Sequence, residues 1–298
     1  MRARHQVLLL TVLMLSVCAL ALSQAGRRPM PAHERTTTLN VTATRADGSD
    51  APISAKEVSL YDDGVEQTVQ SFKLDPTPAH IVLLVDNSKS LRTDVPKLAQ
   101  VAREFIYEIY EGDQLLIVGY DENAEIVTDW TDNPKQVEAS LNMLRKQGEP
   151  HLFDAISAVI DEALRPMSGG SRKRAIVLIG DGLDRGSKTK FIQMLAELQA
   201  EDIAVYALQI PDRTGGALRR DQPKPAQVVQ QLAEATGGRV LSLEDPRTAA
   251  SSICDELRKA RYLLTYSPTS FSSFDARRLL VAGNVGINLR YKAAQPPK

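Results

Sequence analysis

Three side chains that could bind a metal ion together follow one apolar stretch of the chain. Asp86, Ser88 and Ser90 come after the apolar run at residues 81–84, and each is two positions from the next. In an extended or looping chain this spacing lets the three oxygens converge on one point, whereas a helix would separate them. Carboxylate and hydroxyl oxygens are hard ligands, so the pattern indicates Mg²⁺, Mn²⁺ or Ca²⁺ rather than zinc.

A second acid occupies the same kind of position further along the chain. Asp181 follows the apolar run at residues 175–179 and lies between Gly180 and Gly182. Glycines allow the backbone to turn close to a ligand. In open α/β sheets, ligands bind outside the carboxyl ends of the strands. Two acids at two such ends therefore strengthen the prediction of a metal site.

The elements that must position these acids are strands of a parallel sheet. Both apolar runs lack polar alternation, which is typical of strands buried on both faces. Strand and helix patterns alternate from Ile81 onward and predict βαβ units. We therefore expect one doubly wound, Rossmann-like α/β domain at residues 79–260, with a mainly parallel sheet. Its predicted helices include residues 134–148, ended by Gly148, and residues 154–164.

Further strands are predicted on both sides of this domain. The sequence Asp62-Asp63-Gly64 separates two strand-like runs, and the second of them covers residues 65–74. This is a hairpin signal. A hairpin of that size cannot bury enough surface alone. We expect a small β subdomain in which residues 36–78 pack with C-terminal strands at residues 261–293, leaving a tail at residues 294–298.

The chain resembles the von Willebrand factor type A domain. Residues 86–90 match Asp-x-Ser-x-Ser, the signature of that family's metal-ion-dependent adhesion site, and residues 178–184 resemble its strand-four motif. Residues 60–69 are similar to the segment that precedes the type A domain in a group of secreted bacterial proteins, the VWFA-related family. The resemblance covers nearly all of the chain after residue 25.

This resemblance implies a ligand set and a mode of binding. In the family, residues at the positions of Asp86, Ser88, Ser90 and Asp181 coordinate a divalent ion, Mg²⁺ in the first instance, directly or through water. A carboxylate of a protein partner completes the octahedron. The serine hydroxyls add no negative charge, which favours the approach of an acidic side chain. The implied function is ion-bridged protein binding without catalysis.

One position departs from the family's pattern. The remaining family ligand is a threonine four residues ahead of the aspartate in a Leu-Tyr-Asp-Ala segment. The corresponding segment here is residues 152–155, and the threonine position holds Pro150, which has no hydroxyl. Glu149 or His151 could replace it directly or through water, although a glutamate would reduce the charge that attracts an acidic partner. His151 also fits a surface loop.

Other polar residues near these motifs have simpler interpretations. Asp184 is expected to be a solvated turn acid or a helix cap, and Asp121 is expected to fix a turn. Trp130 is expected to pack against the following helix, with a partner anchor as the alternative. Arg219 and Arg220, in a loop rich in glycine and proline, are expected to be solvated.

The N-terminus has the pattern of a secretory signal peptide. Arg2 and Arg4 precede an apolar run at residues 7–22, and small residues follow up to Ala25. We expect residues 1–25 to be removed, which leaves a flexible leader at residues 26–35 and a secreted or periplasmic protein without a stable membrane span. An uncleaved signal that anchors the chain in a membrane is the alternative; lipidation at Cys18 is disfavoured.

Composition narrows the function classes. The chain is 43% hydrophobic and 24% charged with a net charge of −1, as in an ordinary globular protein, and nothing in it favours nucleic acid. After signal removal only Cys254 of the two cysteines remains, so no internal disulfide is expected. We predict an exported, non-enzymatic interaction or adhesion module. A metal-independent scaffold, with the site degraded at Pro150, is the first alternative. A metal-dependent hydrolase is the second, although no base is evident beside the ion.

Overall fold

The strands that the structure describes are distributed over three sheets. The computed structural model describes residues 36–169, 173–210, 222–269 and 274–297. The predicted signal peptide, the leader and the arginine pair at positions 219 and 220 lie outside the described residues. The strands are β1 (Thr37–Arg45), β2 (Val58–Asp62), β3 (Val65–Gln67), β4 (Val69–Leu74), β5 (His80–Asp86), β6 (Gln114–Tyr120), β7 (Ala124–Thr131), β8 (Arg174–Gly180), β9 (Ala204–Gln209), β10 (Val240–Ser242), β11 (Arg261–Tyr266), β12 (Arg277–Gly283), β13 (Ile287–Tyr291) and β14 (Ala294–Gln295).

Helices cover both faces of the central sheet. They are α1 (Val95–Glu108), α2 (Pro134–Ser140), α3 (Leu152–Ala158), α4 (Phe191–Ala200), α5 (Pro225–Thr236) and α6 (Pro246–Lys259). Asp94 caps α1 by accepting a hydrogen bond from the Lys97 N–H, and Asn133 caps α2 in the same way. Among the described residues, no helix is both long enough and apolar enough to cross a bilayer.

The central sheet has the predicted doubly wound form. Its strand order is β10, β9, β8, β5, β6, β7, and all neighbours are parallel except β7, which runs antiparallel to β6. In β5, Ile81 and Leu83 face the core under α1 and α6, while Val82 and Leu84 face the core under α3, α4 and α5. Burial on both faces explains why this run shows no polar alternation.

Two predicted helices differ in the structure. Helix α2 ends at Ser140 rather than near Gly148, because a 3₁₀ turn at Leu141–Met143 follows it. Leu141 and Leu144, which suggested a longer helix, are buried from this tighter turn instead. The helix predicted at residues 154–164 begins at Leu152 and widens into a π-helical turn at Val159–Leu164.

Strands from both ends of the described chain form two further sheets, as predicted, except that β14 at Ala294–Gln295 lies in the stretch predicted to be a tail. One sheet has the order β13, β1, β11, β4, the other has the order β14, β12, β2, β3, and their pairings are antiparallel. The apolar residues of the two sheets share one core. The β subdomain is therefore a small sandwich whose strands come from residues far apart in sequence.

The predicted hairpin is present, but the strand after it is divided. Asp63 and Gly64 have φ values of 50° and 80°, and Asp62 pairs with Val65. Positive φ at both central residues is characteristic of the type I′ turn. The run at residues 65–74 forms two strands that belong to different sheets, β3 and β4, on either side of Thr68. Periodicity alone does not reveal this change of sheet.

His80, at the start of β5, gives a test of the packing. Its ring meets the Trp130 indole edge to face, with centroids 5.3 Å apart, and partial burial lowers its pKa from the ordinary 6.5. Trp130 itself packs against the core beneath α3. The unfolded chain therefore protonates the His80 ring more readily than the folded protein does. As a result, the folded protein loses stability as the pH falls through about 6.5. We expect an NMR titration of the ring to give a pKa below 6.5; a value above 6.5 would contradict this packing.

Candidate metal centre

The sheet brings the two acids to the same edge. Strands β5 and β8 are parallel neighbours, and Val85 pairs with Ile179 near their carboxyl ends. Asp86 is the last residue of β5, and Asp181 follows the last residue of β8. Both side chains are almost completely buried, at 1% and 5% exposure. The edge therefore holds two carboxylates in a largely water-free environment.

The loop after β5 folds back on Asp86. The Ser88 N–H donates to Oδ1 of Asp86 over 2.8 Å, and the hydroxyl oxygens of Ser88 and Ser90 lie 3.0 Å apart. Aspartate commonly forms this local turn two residues ahead of the donor. The turn brings together the side-chain oxygens of Asp86, Ser88 and Ser90, as their two-residue spacing predicts.

Tyr120 forms the floor beneath Asp86. Its hydroxyl donates to Oδ2 of Asp86 over 3.3 Å, and its side chain is fully buried. A Cβ on Gly180 would lie 3.2 Å from both the Asp86 Cβ and the Tyr120 hydroxyl oxygen. Gly180 therefore makes room for this pair. Sequence analysis missed Tyr120; its place at the end of a third apolar strand is the only signal that pointed to it.

Burial and the neighbouring charge of Asp181 make Asp86 costly to charge. Burial in the first place, and the negative charge of Asp181 to a smaller extent, raise the pKa of Asp86 to about 6 against the opposing hydrogen bonds from Ser88 and Tyr120. Burial also raises the pKa of Tyr120, and the charges of Asp86, Asp181 and Asp184 act in the same direction. A divalent cation at this edge would relieve the repulsion, so the residues present fit such an ion.

The glycine after Asp181 is needed for packing. Oδ1 of Asp181 accepts a hydrogen bond from the Leu183 N–H over 2.9 Å. Gly182, between them, has φ of 82°, and a Cβ there would lie 2.4 Å from the carbonyl oxygen of Pro225 in α5. The sequence suggested that this glycine leaves space for a ligand, but the structure places the first turn of α5 against it.

The loop at the missing threonine is held by Arg185. The backbone N–H of Arg185 donates to the carbonyl oxygen of Pro150 over 2.8 Å. The guanidinium of Arg185 pairs with the Glu149 carboxylate at 2.9 Å. The His151 ring lies against Gly186, where a Cβ would be 1.7 Å from Nε2. Glu149 is thus engaged by an arginine, and the His151 ring packs on the neighbouring loop.

Two nearby aspartates have structural contacts. Asp184 is 2% exposed, and its Oδ1 accepts hydrogen bonds from the Phe153 N–H at 3.3 Å and from the Ser187 hydroxyl. It therefore caps the start of α3, which is one of the two expected roles, and it is buried rather than solvated. Asp121 accepts from the Asn123 N–H over 3.1 Å, which fixes a turn as expected.

Backbone hydrogen bonds tie the serine loop to its surroundings. The Asn87 N–H donates to the Tyr120 carbonyl oxygen over 2.8 Å, and the Asn87 carbonyl oxygen accepts from the Gln147 N–H at the same distance. The Lys89 N–H donates to the Gly148 carbonyl oxygen over 3.2 Å. These backbone hydrogen bonds therefore hold the loop that would carry the ligands.

The chemistry of the donor set is that of a hard cation. Within the described ranges, no group of three or more His, Cys, Asp or Glu residues is arranged for metal binding. A metal site at this edge would use the hydroxyls of Ser88 and Ser90 together with Asp86 and Asp181. Such all-oxygen sets suit Mg²⁺, Mn²⁺ or Ca²⁺.

The residues at this edge lie within a stretch of sequence that matches a known protein family. Residues 81–183 match the sequence model of the von Willebrand factor type A domain. The part of the chain that is matched is a type A domain. The matched stretch begins in β5 and ends just beyond Asp181, so it includes both acids and both serines. Type A domains are generally non-enzymatic modules that mediate protein interactions.

Solved structures provide further similarities. An aerotolerance-related membrane protein from Bacteroides fragilis is 20% identical with a TM-score of 0.45, and the match covers 61% of this chain and 99% of that one. Proximal thread matrix protein 1 from the mussel byssus is 16% identical with a TM-score of 0.47, covering 63% of this chain and 49% of its own, so the match spans about half of the mussel protein. No curated protein sequence matches the chain.

Proposed function

We propose that the type A domain binds a protein partner through a divalent cation held by Asp86, Ser88, Ser90 and Asp181. The observation that carries this proposal is the placement of two buried acids and two adjacent hydroxyls at one edge of the sheet. Mg²⁺ is the first candidate, with Mn²⁺ or Ca²⁺ as substitutes. The partner would supply an acidic side chain to the ion.

Charge balance supports a carboxylate as the bridging group. Asp86 and Asp181 together carry no more negative charge than a divalent ion neutralises, and the serines add none. Glu149, the acid nearest in sequence to the missing threonine, is paired with Arg185. An added carboxylate from a partner would therefore meet the ion without competition from Glu149.

Export is part of the proposal. The N-terminal pattern of charged, apolar and small residues is that of a secretory signal. A secreted or periplasmic module that links proteins through an ion needs no catalytic group. N-terminal sequencing of the exported protein is expected to begin after Ala25, and an intact N-terminus in the membrane fraction would support an anchored form instead.

The two histidines that the structure describes argue against the hydrolase alternative. His80 begins β5 at the end opposite Asp86, and the His151 ring packs on Gly186. A hydrolase would place a base beside the ion. The metal-independent scaffold has one supporting observation, which is that Pro150 occupies the threonine position in a loop fixed by Arg185.

Calorimetric titration with Mg²⁺ and Mn²⁺ tests the proposal. We expect saturable binding to the purified chain, loss of binding in Asp86→Ala, and unchanged binding in Asp94→Asn, which removes an exposed acid that caps α1. Since a bound ion stabilises only the folded state, the ion should also raise the melting temperature of the wild type and of the control. Absence of binding up to millimolar ion would favour the metal-independent scaffold.

A further inference from the structure

We infer that a cavity on the α3 side of the sheet is a second binding site, for a small organic cation with an apolar or aromatic body. The cavity has a volume of about 270 Å³. It lies between strands β6 and β7, on the lateral side of the central sheet, and the helix that begins as α3. It uses none of the metal-centre residues. The inference stands independently of the proposed ion-bridged function.

The walls of the cavity are apolar. Leu116 and Val118 of β6 form its floor, Ile126 and Trp130 of β7 form one side, and Val159 and Ala163 form the other. Trp130 is half-buried and Ile126 is 58% exposed. Concave sites with apolar and aromatic walls and a few polar groups are the usual form of small-molecule sites.

A local change in helix geometry forms one wall. The helix that starts as α3 becomes π-helical at Val159–Leu164, and the Arg165 N–H donates to the Ile160 carbonyl oxygen over 2.8 Å. Short π-helical turns are uncommon and are found frequently at functional sites. Here the widened turn supplies Val159, Glu162 and Ala163 to the cavity.

The charge at the opening selects the ligand. Asp129 and Glu162 line the cavity from opposite sides and are exposed, and neither forms an ion pair with any residue that the structure describes. Asp129 only accepts the Trp130 N–H over 2.8 Å. Nearby Arg165 is occupied by Asp161 and Glu201. The opening is therefore negative, and a cation with an apolar body complements both parts of the site.

The volume sets the size of the ligand. A volume of about 270 Å³ lies near the lower end of the range usual for small-molecule sites, about 300–1,000 Å³. An ammonium group joined to one aromatic ring by a short chain has this size. The ring would lie against Trp130 and the floor, with the ammonium between the two carboxylates, and the indole would add favourable contact with the aromatic body.

The single tryptophan allows a direct test. The chain has one Trp, so its indole N–H gives one NMR resonance. We expect phenethylammonium to shift the Trp130 resonance saturably, in the presence of EDTA and also in Asp86→Ala. The anion 3-phenylpropanoate, which has a similar body and the opposite charge, should shift it little. Persistence without metal separates this site from the metal centre.

Matched variants identify the residues. Asp129→Asn keeps the acceptor for the Trp130 N–H, and we expect it and Glu162→Gln each to weaken binding by about two- to fivefold, because exposed charge pairs contribute modestly. Asp132→Asn, an exposed acid outside the cavity, should have no effect. Ala163→Leu should block binding by filling the space. Equal binding of the anion, or unchanged affinity in both charge variants, would overturn the inference.

Discussion

Asp86→Asn is expected to stabilise the metal-free protein at pH 7.5 while abolishing stabilisation by Mg²⁺. Burial and Asp181 raise the pKa of Asp86 from 3.8 to about 6, so holding it charged in the folded state costs roughly 3 kcal/mol at neutral pH. Asparagine keeps the acceptor for the Ser88 N–H and carries no charge. We expect a net gain of about 1–2 kcal/mol in the free energy of unfolding, since the amide must also be desolvated.

The pH dependence of the free energy of unfolding follows from the raised pKa of Asp86. A carboxyl whose folded pKa is raised above its unfolded value takes up protons on folding, so its unfavourable charge is absent at low pH and appears as the pH rises through about 6. The advantage of Asp86→Asn should therefore disappear near pH 4. Thermal unfolding in EDTA at pH 4, 5.5 and 7.5 measures it, with Asp94→Asn as the control. A variant less stable than wild type at pH 7.5 would refute the proposed electrostatic cost.

Gly182→Ala is expected to be among the most destabilising single substitutions at the sheet edge. The φ of 82° is unfavourable for any residue with a Cβ, and the added atom would lie 2.4 Å from the Pro225 carbonyl oxygen. Because that oxygen belongs to the backbone of α5, the helix or the Asp181 turn must move. We expect a loss of about 3 kcal/mol or more in the free energy of unfolding, together with weaker ion binding.

Gly64→Ala is the matched control for this effect. Gly64 has φ of 80°, but a Cβ there meets nothing within 4 Å. It should therefore show only the cost of the left-handed conformation, about 1 kcal/mol. Urea denaturation of both variants compares them directly. Equal losses would show that contact with α5 does not determine the role of Gly182.

The sequence predicts best where one residue pattern has one physical meaning. The uninterrupted apolar runs in β5 and β8 require burial on both faces, and their ends locate Asp86 and Asp181 at one edge. The two-residue turn at Asp63 and Gly64 needs positive φ, which those residue types tolerate. In these places local chemistry alone determines the structure.

Contacts between distant segments account for what the sequence did not reveal. Tyr120 lies under Asp86 only because β6 is the neighbour of β5, and Arg185 engages Glu149 only after two loops meet. The division of residues 65–74 depends on which strands become available as partners. The π-helical turn has the same apolar periodicity as the regular helix that was predicted. None of these features is specified within a single window of sequence.

The pairing of β4 with β11 has a consequence for how the chain is organised. Leu74 pairs with Tyr262, and the Asp75 N–H donates to the Arg261 carbonyl oxygen over 2.8 Å. Everything between these strands, including the type A domain, therefore leaves and re-enters the sandwich at points about 5 Å apart. The type A domain is therefore an insertion between two neighbouring strands of the β sandwich. Ends so close are the condition under which a domain can be inserted or exchanged while its host keeps its own fold.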